Sequence, residues 1–214
     1  MKIYKSLQGN NSTISKSRIK ELLNNNCSLN EKMVQLRDSL PIVKLTPDGE
    51  NELIRLLVEG LGLKIYFPRK GDNSERFDAL IDCLGYKSVV EIEIPSTEIL
   101  DAPRNLLDDY AVLKCRKQEK ESAVVPLVIC WDLPNKRTDY WNVVTDINAV
   151  LGIKIKTLSV LALALHYWTG TPLDLQDDDY YLDHANNSMS KATTLLEKAN
   201  LPQDAFPGYF SPYK

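Results

Sequence analysis

Histidine is almost absent from this sequence, with only His166 and His184 among 214 residues. A histidine-rich metal site or a serine–histidine catalytic triad therefore has few candidate residues. The four cysteines lie far apart and form no paired spacing (Cys27, Cys83, Cys115 and Cys130). Their positions predict neither a zinc knuckle nor a disulfide framework.

Long apolar runs are absent as well. The longest candidate, residues 158–168, is shorter than the ~20 apolar residues that a membrane-spanning helix needs. The first residues lack the apolar core of a secretory signal peptide. We therefore expect a soluble, cytoplasmic protein with no membrane contact. The net charge of −3 gives no chain-wide signal for nucleic-acid binding, which would depend on local basic patches.

The hydrophobic pattern predicts an α/β fold with a mixed central β-sheet flanked by helices. Helical patterns cover residues 14–38, with a break at 24–26, and Pro41 and the turn at 47–49 are expected to end that region. The other predicted helices are 50–61 (closed by Gly62), 96–117, 139–151, 159–168 and 187–199. The predicted strands are 63–67, 77–83, 88–94, 124–131 and 153–158.

This order suggests three regions along the chain. We expect an N-terminal helical region over residues 1–45 and a core over 46–170. The third region, 171–214, is expected to be a C-terminal extension that packs on the core. The sequence contains no internal repeat.

Three carboxylates stand out between residues 76 and 95. Alternate residues of a strand share a face, so Glu91 and Glu93 project together from the strand 88–94. If a hairpin forms around residues 84–87, Asp78 approaches them from the preceding strand, and Asp82 is a fallback. Three converging carboxylates raise one another's pKa values, and bound divalent cations relieve that repulsion. The alternative is a solvated strand face, because Glu and Ile also alternate on amphipathic surface strands.

At this point the sequence resembles the PD-(D/E)xK nuclease superfamily, over residues 50–168. In that family a helix carrying Glu precedes three strands, an Asp opens the second strand, and an acidic-x-Lys motif lies on the third. Asp78 matches the Asp, and Glu91, thirteen positions later, matches the acidic residue. Glu52 is the best match for the helix Glu, ahead of Glu50 and Glu59. The later strands and helices also follow the family's order.

The resemblance implies a restriction-endonuclease-like core and Mg²⁺-dependent hydrolysis of DNA, with Mn²⁺ able to substitute. Asp78, Glu91 and Glu93 would hold the metal, and Glu52 would have an auxiliary catalytic role. A type II restriction-like enzyme would act on double-stranded DNA as a homodimer. Hydrolysis of RNA or of single strands stays open.

Two positions depart from the family motif. Phe77 stands where the motif has Pro, which is a common relaxation. Glu93 occupies the usual Lys position, giving an E-x-E version that is known among restriction endonucleases. Alternatively, Lys114 or Lys87 supplies the missing ammonium group. The third alternative is a catalytically inactive nuclease-fold subunit that binds DNA or a partner in a defence or repair complex.

Basic side chains near the motif are candidates for contact with nucleic acid. The loop before Asp78 is expected to border the site, and the helix after the motif also carries cations. The candidates are Arg69, Lys70, Arg76, Arg104 and Lys114. For those on the helix, a solvated surface is the alternative interpretation.

Overall fold

The structure is a computed structural model that describes residues 11–68, 76–116 and 123–213, without the side chains of 11–16, 116 and 203. Four helices come first: α1 (Asn11–Asn24), α2 (Leu29–Arg37), α3 (Leu40–Leu45) and α4 (Gly49–Gly60). The expected helical stretch with its break is confirmed, and a capping box of Ser28 and Glu31 begins α2.

The expectation that Pro41 ends this helical region is wrong. Pro41 instead lies in the first turn of α3. The fixed backbone angle of proline suits this position, and its missing N–H has no helical partner there in any case.

The end of α4 follows the predicted glycine signal. Gly62 has a φ of 79° and donates its N–H to the carbonyl of Glu59 at 2.9 Å, while Leu63 N donates to Val58 O at 3.2 Å. This pair of bonds is a Schellman motif, which satisfies the last helix carbonyls and turns the chain toward the sheet.

Five strands form one mixed sheet: β1 (Lys64–Tyr66), β2 (Ala79–Cys83), β3 (Tyr86–Glu93), β4 (Ala123–Cys130) and β5 (Lys156–Ser159). They lie in the order in which they occur along the chain. β1, β2 and β3 are antiparallel neighbours, whereas β3, β4 and β5 are parallel. The sheet therefore changes from antiparallel to parallel at β3.

The later helices are α5 (Ala102–Arg116), α6 (Asp139–Leu151), α7 (Val160–Thr169) and α8 (Ser190–Lys198). α5 links β3 to β4, and α6 links β4 to β5. α5 begins six residues later than the sequence suggested. Residues 94–101 form a loop instead. The Ser96 hydroxyl donates to the carbonyl of Asp132 at 3.1 Å. The first hydrogen bonds of the helix are those that the Asp101 carbonyl accepts.

Two apolar clusters lie on the two faces of the sheet. On one face, Val89 and Val128 pack with Ala102, Leu106 and Leu113 of α5; we call it the α5 face. On the other, Ala79 and Val90 pack with Leu53 and Leu57 of α4; this is the α4 face. α7 also contacts α1, α2 and α4, and Trp168 Nε1 donates to Leu23 O at 2.8 Å.

The predicted α/β fold, with a mixed central sheet and helices on both faces, is confirmed. Leu175, Phe206 and Phe210 are buried in the same cluster as the α4 face, so parts of the chain beyond residue 170 complete the core. Within the described residues, no helix combines the length and apolar character that crossing a bilayer requires.

Candidate active site

The register of the β2–β3 hairpin brings Asp78 across from Glu91. Ala79 pairs with Val90, and the next position outward on each strand is Asp78 and Glu91. β2 begins at Ala79, and Oδ2 of Asp78, one residue before the strand, accepts the backbone N–H of Ile92 at 2.8 Å. A side chain thus takes the place of a backbone acceptor, which fixes the carboxylate beside β3.

Glu91 and Glu93 share the α5 face with Val89, as the alternation of the strand predicts. Burial and the nearby charge of Asp78 raise the pKa of Glu91 to about 7. Part of Asp78 faces solvent, yet burial of its carboxyl group still raises the pKa of that group, while the hydrogen bond from Ile92 opposes the rise. The two carboxylates therefore disfavour each other's ionised form.

Glu93 is the most enclosed of the three predicted carboxylates, with 9% of its surface exposed. Burial raises the pKa of its side chain to about 7, and a hydrogen bond from the backbone of Glu98 acts in the opposite direction. The backbone carbonyl of Glu93 also accepts Trp131 N at 3.2 Å, which ties the end of β3 to the end of β4.

Two further polar residues reach this site from α5, and the sequence analysis missed both. Asn105 Nδ2 donates to Oε1 of Glu91 at 3.3 Å. Asp109 is 5% exposed, and burial raises its pKa to about 6, with Arg76 opposing the rise. A signal was present in the sequence, because Asp109 interrupts the apolar stripe of α5 at helical spacing from Leu106 and Leu113.

Arg76 and Arg104, two of the predicted basic contacts, form ion pairs near the site. Arg76 pairs with Asp108 at 2.8 Å, and Arg104 pairs with Asp139 at 3.3 Å. The charges of these pairs are exposed, so water and salt screen them. Arg69 and Lys70 lie outside the described residues.

The two lysines considered as replacements for the missing motif lysine lie at different distances from the cluster. Lys87 lies opposite Asp82 in the strand register, at the other end of the hairpin from Glu91. At 3.3 Å per residue, this is about 13 Å along β3 from Glu91. Lys114 is on α5, five positions beyond Asp109 and so about 7.5 Å further along the helix axis.

Glu52, the expected auxiliary residue, lies in the first turn of α4 and is half-buried. Its neighbours Leu53 and Leu57 pack on the α4 face, whereas Glu91 and Glu93 are on the α5 face. Its role therefore stays a prediction.

The side chains at this site fit a hard divalent cation. The ligand atoms are carboxylate oxygens, which Mg²⁺ and Mn²⁺ prefer over nitrogen or sulfur. Among the described residues, no three Asp, Glu, His or Cys side chains are grouped as a ready-made metal cage. Mg²⁺ commonly uses one or two protein carboxylates and keeps several waters, so Asp78 and Glu91 are a sufficient protein contribution.

The fold and this site define an α/β protein with a cluster of carboxylates, from buried Glu93 to exposed Asp78, toward the carboxyl end of its central strand. No family model and no curated protein matches the sequence. Among solved structures, the chain is similar to the restriction endonuclease FokI, with a TM-score of 0.46 and 12% identity over 80% of this chain and 33% of that one. FokI bound to DNA gives a TM-score of 0.45 and 14% identity, over 82% and 33% of the two chains. The chain thus spans about a third of the length of these proteins.

Proposed function

We propose that this chain is a metal-dependent nuclease that hydrolyses phosphodiester bonds of DNA, with Asp78 and Glu91 as ligands of Mg²⁺. The observation that carries the proposal is the placement of Asp78, Glu91 and Glu93 on one face of the hairpin, beneath α5 and with raised pKa values. Desolvated like charges of this kind are costly unless a cation or a proton compensates them.

When bound, Mg²⁺ or Mn²⁺ would polarise the phosphate, lower the pKa of an attacking water and stabilise the leaving oxygen. Hydrogen bonds within the chain hold the two carboxylates that would bind the cation. Ile92 N–H holds Asp78, and Asn105 holds Glu91. Glu93 acts as a further ligand or orients the water.

The element order supports the same proposal. The chain has α4, then β1, β2 and β3, then α5, β4, α6 and β5. This is the element order on which the resemblance to the PD-(D/E)xK superfamily rests. Asp78 directly precedes the second strand and Glu91 lies on the third. We therefore propose the E-x-E variant of that motif, in a restriction-like enzyme that cuts double-stranded DNA.

The test is cleavage of plasmid and phage DNA with Mg²⁺ or Mn²⁺, beside a chelator control. Asp78→Asn should lower the cleavage rate by about 100-fold or more, since even residues that only support metal ligands contribute 10- to 100-fold. The matched control is Asp82→Asn, which changes an exposed carboxylate on the same strand at the other end of the hairpin. Asp82→Asn should leave the rate unchanged.

Two outcomes contradict this assignment. Cleavage that survives Asp78→Asn places the chemistry elsewhere. A folded protein that cleaves neither duplex DNA, single strands nor RNA, and that gains no thermal stability from either metal, is the non-catalytic binding subunit instead.

We also propose a homodimer, because cutting both strands of a symmetric site suits two-fold protein symmetry. Light scattering with and without duplex DNA measures this directly. A monomer under both conditions contradicts it without affecting the proposed chemistry.

A further inference from the structure

A cavity of about 350 Å³ opens beyond the carboxyl ends of β3 and β4. Its walls come from three separate parts of the chain and include Ser96, Thr97, Asp132, Leu133, Asn135 and Tyr213. In open sheets with parallel strands, the crevice outside the carboxyl ends of the strands is the usual position for a ligand.

The cavity shares one loop with the candidate active site. The backbone of Glu98 hydrogen-bonds the carboxylate of Glu93, while Ser96 and Thr97 of the same loop line the cavity. The Ser96 hydroxyl joins the carbonyls of Glu93 and Asp132 at 3.4 and 3.1 Å. A molecule in the cavity therefore lies next to the residue that would orient the attacking water.

The ring of Tyr213 is held in place at the edge of the cavity. It packs so closely on the backbone of Gly208 that a side chain at position 208 would collide with it. Backbone bonds anchor both residues to the segment after β4, from Leu133 N to Gly208 O at 2.7 Å and from Lys136 N to Tyr213 O at 2.9 Å. Tyr213 nevertheless stays 41% exposed. A fixed aromatic ring with an open surface is a stacking platform.

The remaining walls combine apolar and hydrogen-bonding groups. Leu133 and Ile99 are apolar and buried, and Asp132 and Asn135 are polar. A flat heteroaromatic ring has apolar faces and a polar edge, which match these walls. The cavity volume is at the small end of the range for ligand pockets, so it suits one such ring. The Asp132 carboxylate accepts hydrogen bonds, so it favours a base with an exocyclic amino group.

We propose that this cavity binds one unpaired, amino-bearing nucleobase of the nucleic-acid substrate, stacked on Tyr213 beside the phosphate that is cut. The inference rests on the proposed nuclease function. A base in a duplex has to leave the stack to enter the cavity, whereas a base in a single strand is already available.

The first experiment measures binding without hydrolysis. Deoxyadenosine monophosphate and thymidine monophosphate are titrated into the full-length protein in the presence of a chelator, and the backbone amide resonances of Leu133 and of residues 135–138 are followed by NMR. We expect the adenine nucleotide to bind more tightly and Asp132→Asn to reduce that preference. Tyr213→Phe should bind normally, whereas Tyr213→Ala should lose binding. No shift of these resonances with either nucleotide at 10 mM overturns the proposal.

The second experiment separates a substrate base from a free nucleotide. Base stacking on an aromatic side chain contributes enough that Tyr213→Ala should raise the KM for a short DNA substrate roughly 5- to 100-fold, with kcat nearly unchanged. An unchanged KM, with nucleotide binding lost, overturns the assignment to a substrate base. If mononucleotides bind as expected but no DNA is cleaved, the nuclease function fails and the nucleobase cavity stands.

Discussion

Asn105 on α5 donates a hydrogen bond to Glu91 on β3, with 3.3 Å between Nδ2 and Oε1. The bond joins the helix of the crossover to the strand that carries the candidate metal ligand. It opposes the rise in the pKa of Glu91 that burial and Asp78 produce. α5 is therefore part of the site, although the motif that predicts the site ends on β3.

The first prediction concerns this hydrogen bond. Asn105→Ala should raise the Mg²⁺ concentration needed for half-maximal cleavage roughly 10- to 100-fold, because a residue that orients a metal ligand typically contributes that much. The measurement is cleavage rate against Mg²⁺ concentration. Saturating Mg²⁺ should restore most of the rate, which a merely misfolded variant would not show. An unchanged Mg²⁺ dependence contradicts a positioning role for Asn105.

The second prediction concerns stability against pH in the absence of metal. Burial raises the pKa values of Glu91 and Glu93 from the usual 4.5 to about 7. Between these values the folded state holds more protons than the unfolded state, so the free energy of unfolding falls as pH rises through this window. We expect a lower Tm at pH 8 than at pH 5 in chelator.

The cation should remove much of this pH dependence. Mg²⁺ or Mn²⁺ stabilises the ionised carboxylates of the folded state by binding to them. A Tm that rises steadily from pH 5 to pH 8 in chelator contradicts the raised pKa values.

The third prediction is that the charge of Glu93 lowers the free energy of unfolding when no metal is bound. Glu93→Gln removes a buried negative charge and keeps the shape of the side chain. A difference of one pKa unit corresponds to about 1.36 kcal/mol, so Glu93→Gln should stabilise the metal-free protein at pH 8 by roughly 1–3 kcal/mol. That stabilisation corresponds to a rise in Tm of about 3–10 °C. The same variant should lose cleavage. Glu59→Gln, at an exposed position on α4, is the control and should change neither property. A destabilised Glu93→Gln protein is the contrary result.

The fourth prediction concerns nucleic-acid binding by Arg76. If Arg76 leaves Asp108 to contact a phosphate, Arg76→Gln weakens binding for all sequences and reduces the slope of log affinity against log salt by about one. Fluorescence anisotropy of labelled DNA in chelator measures this. Arg37→Gln, which breaks a comparable ion pair between Arg37 and Asp38 at the end of α2, is the control. Identical slopes for Arg76→Gln and the original protein rule out the contact.

The parts of the site that could be predicted are those that lie within one hairpin. The short link at Leu84 and Gly85 sets the register, and strand alternation then fixes the shared face of Glu91 and Glu93. The fold class was equally accessible, because the apolar period changes between strands and helices along the whole core.

The missed parts depend on contacts between elements that are distant in sequence. Asn105 and Asp109 meet the carboxylates only because α5 packs back across β3. The cavity requires Ser96, Asp132 and Tyr213 to converge, and no local pattern encodes that meeting. The short helix α3 was missed for a local reason, since a proline in the first turn of a helix resembles a proline that ends one.

The change from antiparallel to parallel pairing at β3 has a consequence for how the protein folds. The β2–β3 hairpin closes through a two-residue turn, and isolated hairpins form within about 1–10 μs. The parallel pairing of β3 with β4 spans a whole crossover and is slower, because a longer loop has to close first. We therefore expect Asp78 and Glu91 to come together early, while water still surrounds them. Their mutual repulsion becomes costly only when α5 docks and excludes that water, so a divalent cation should speed the late steps of refolding and leave the early ones unchanged.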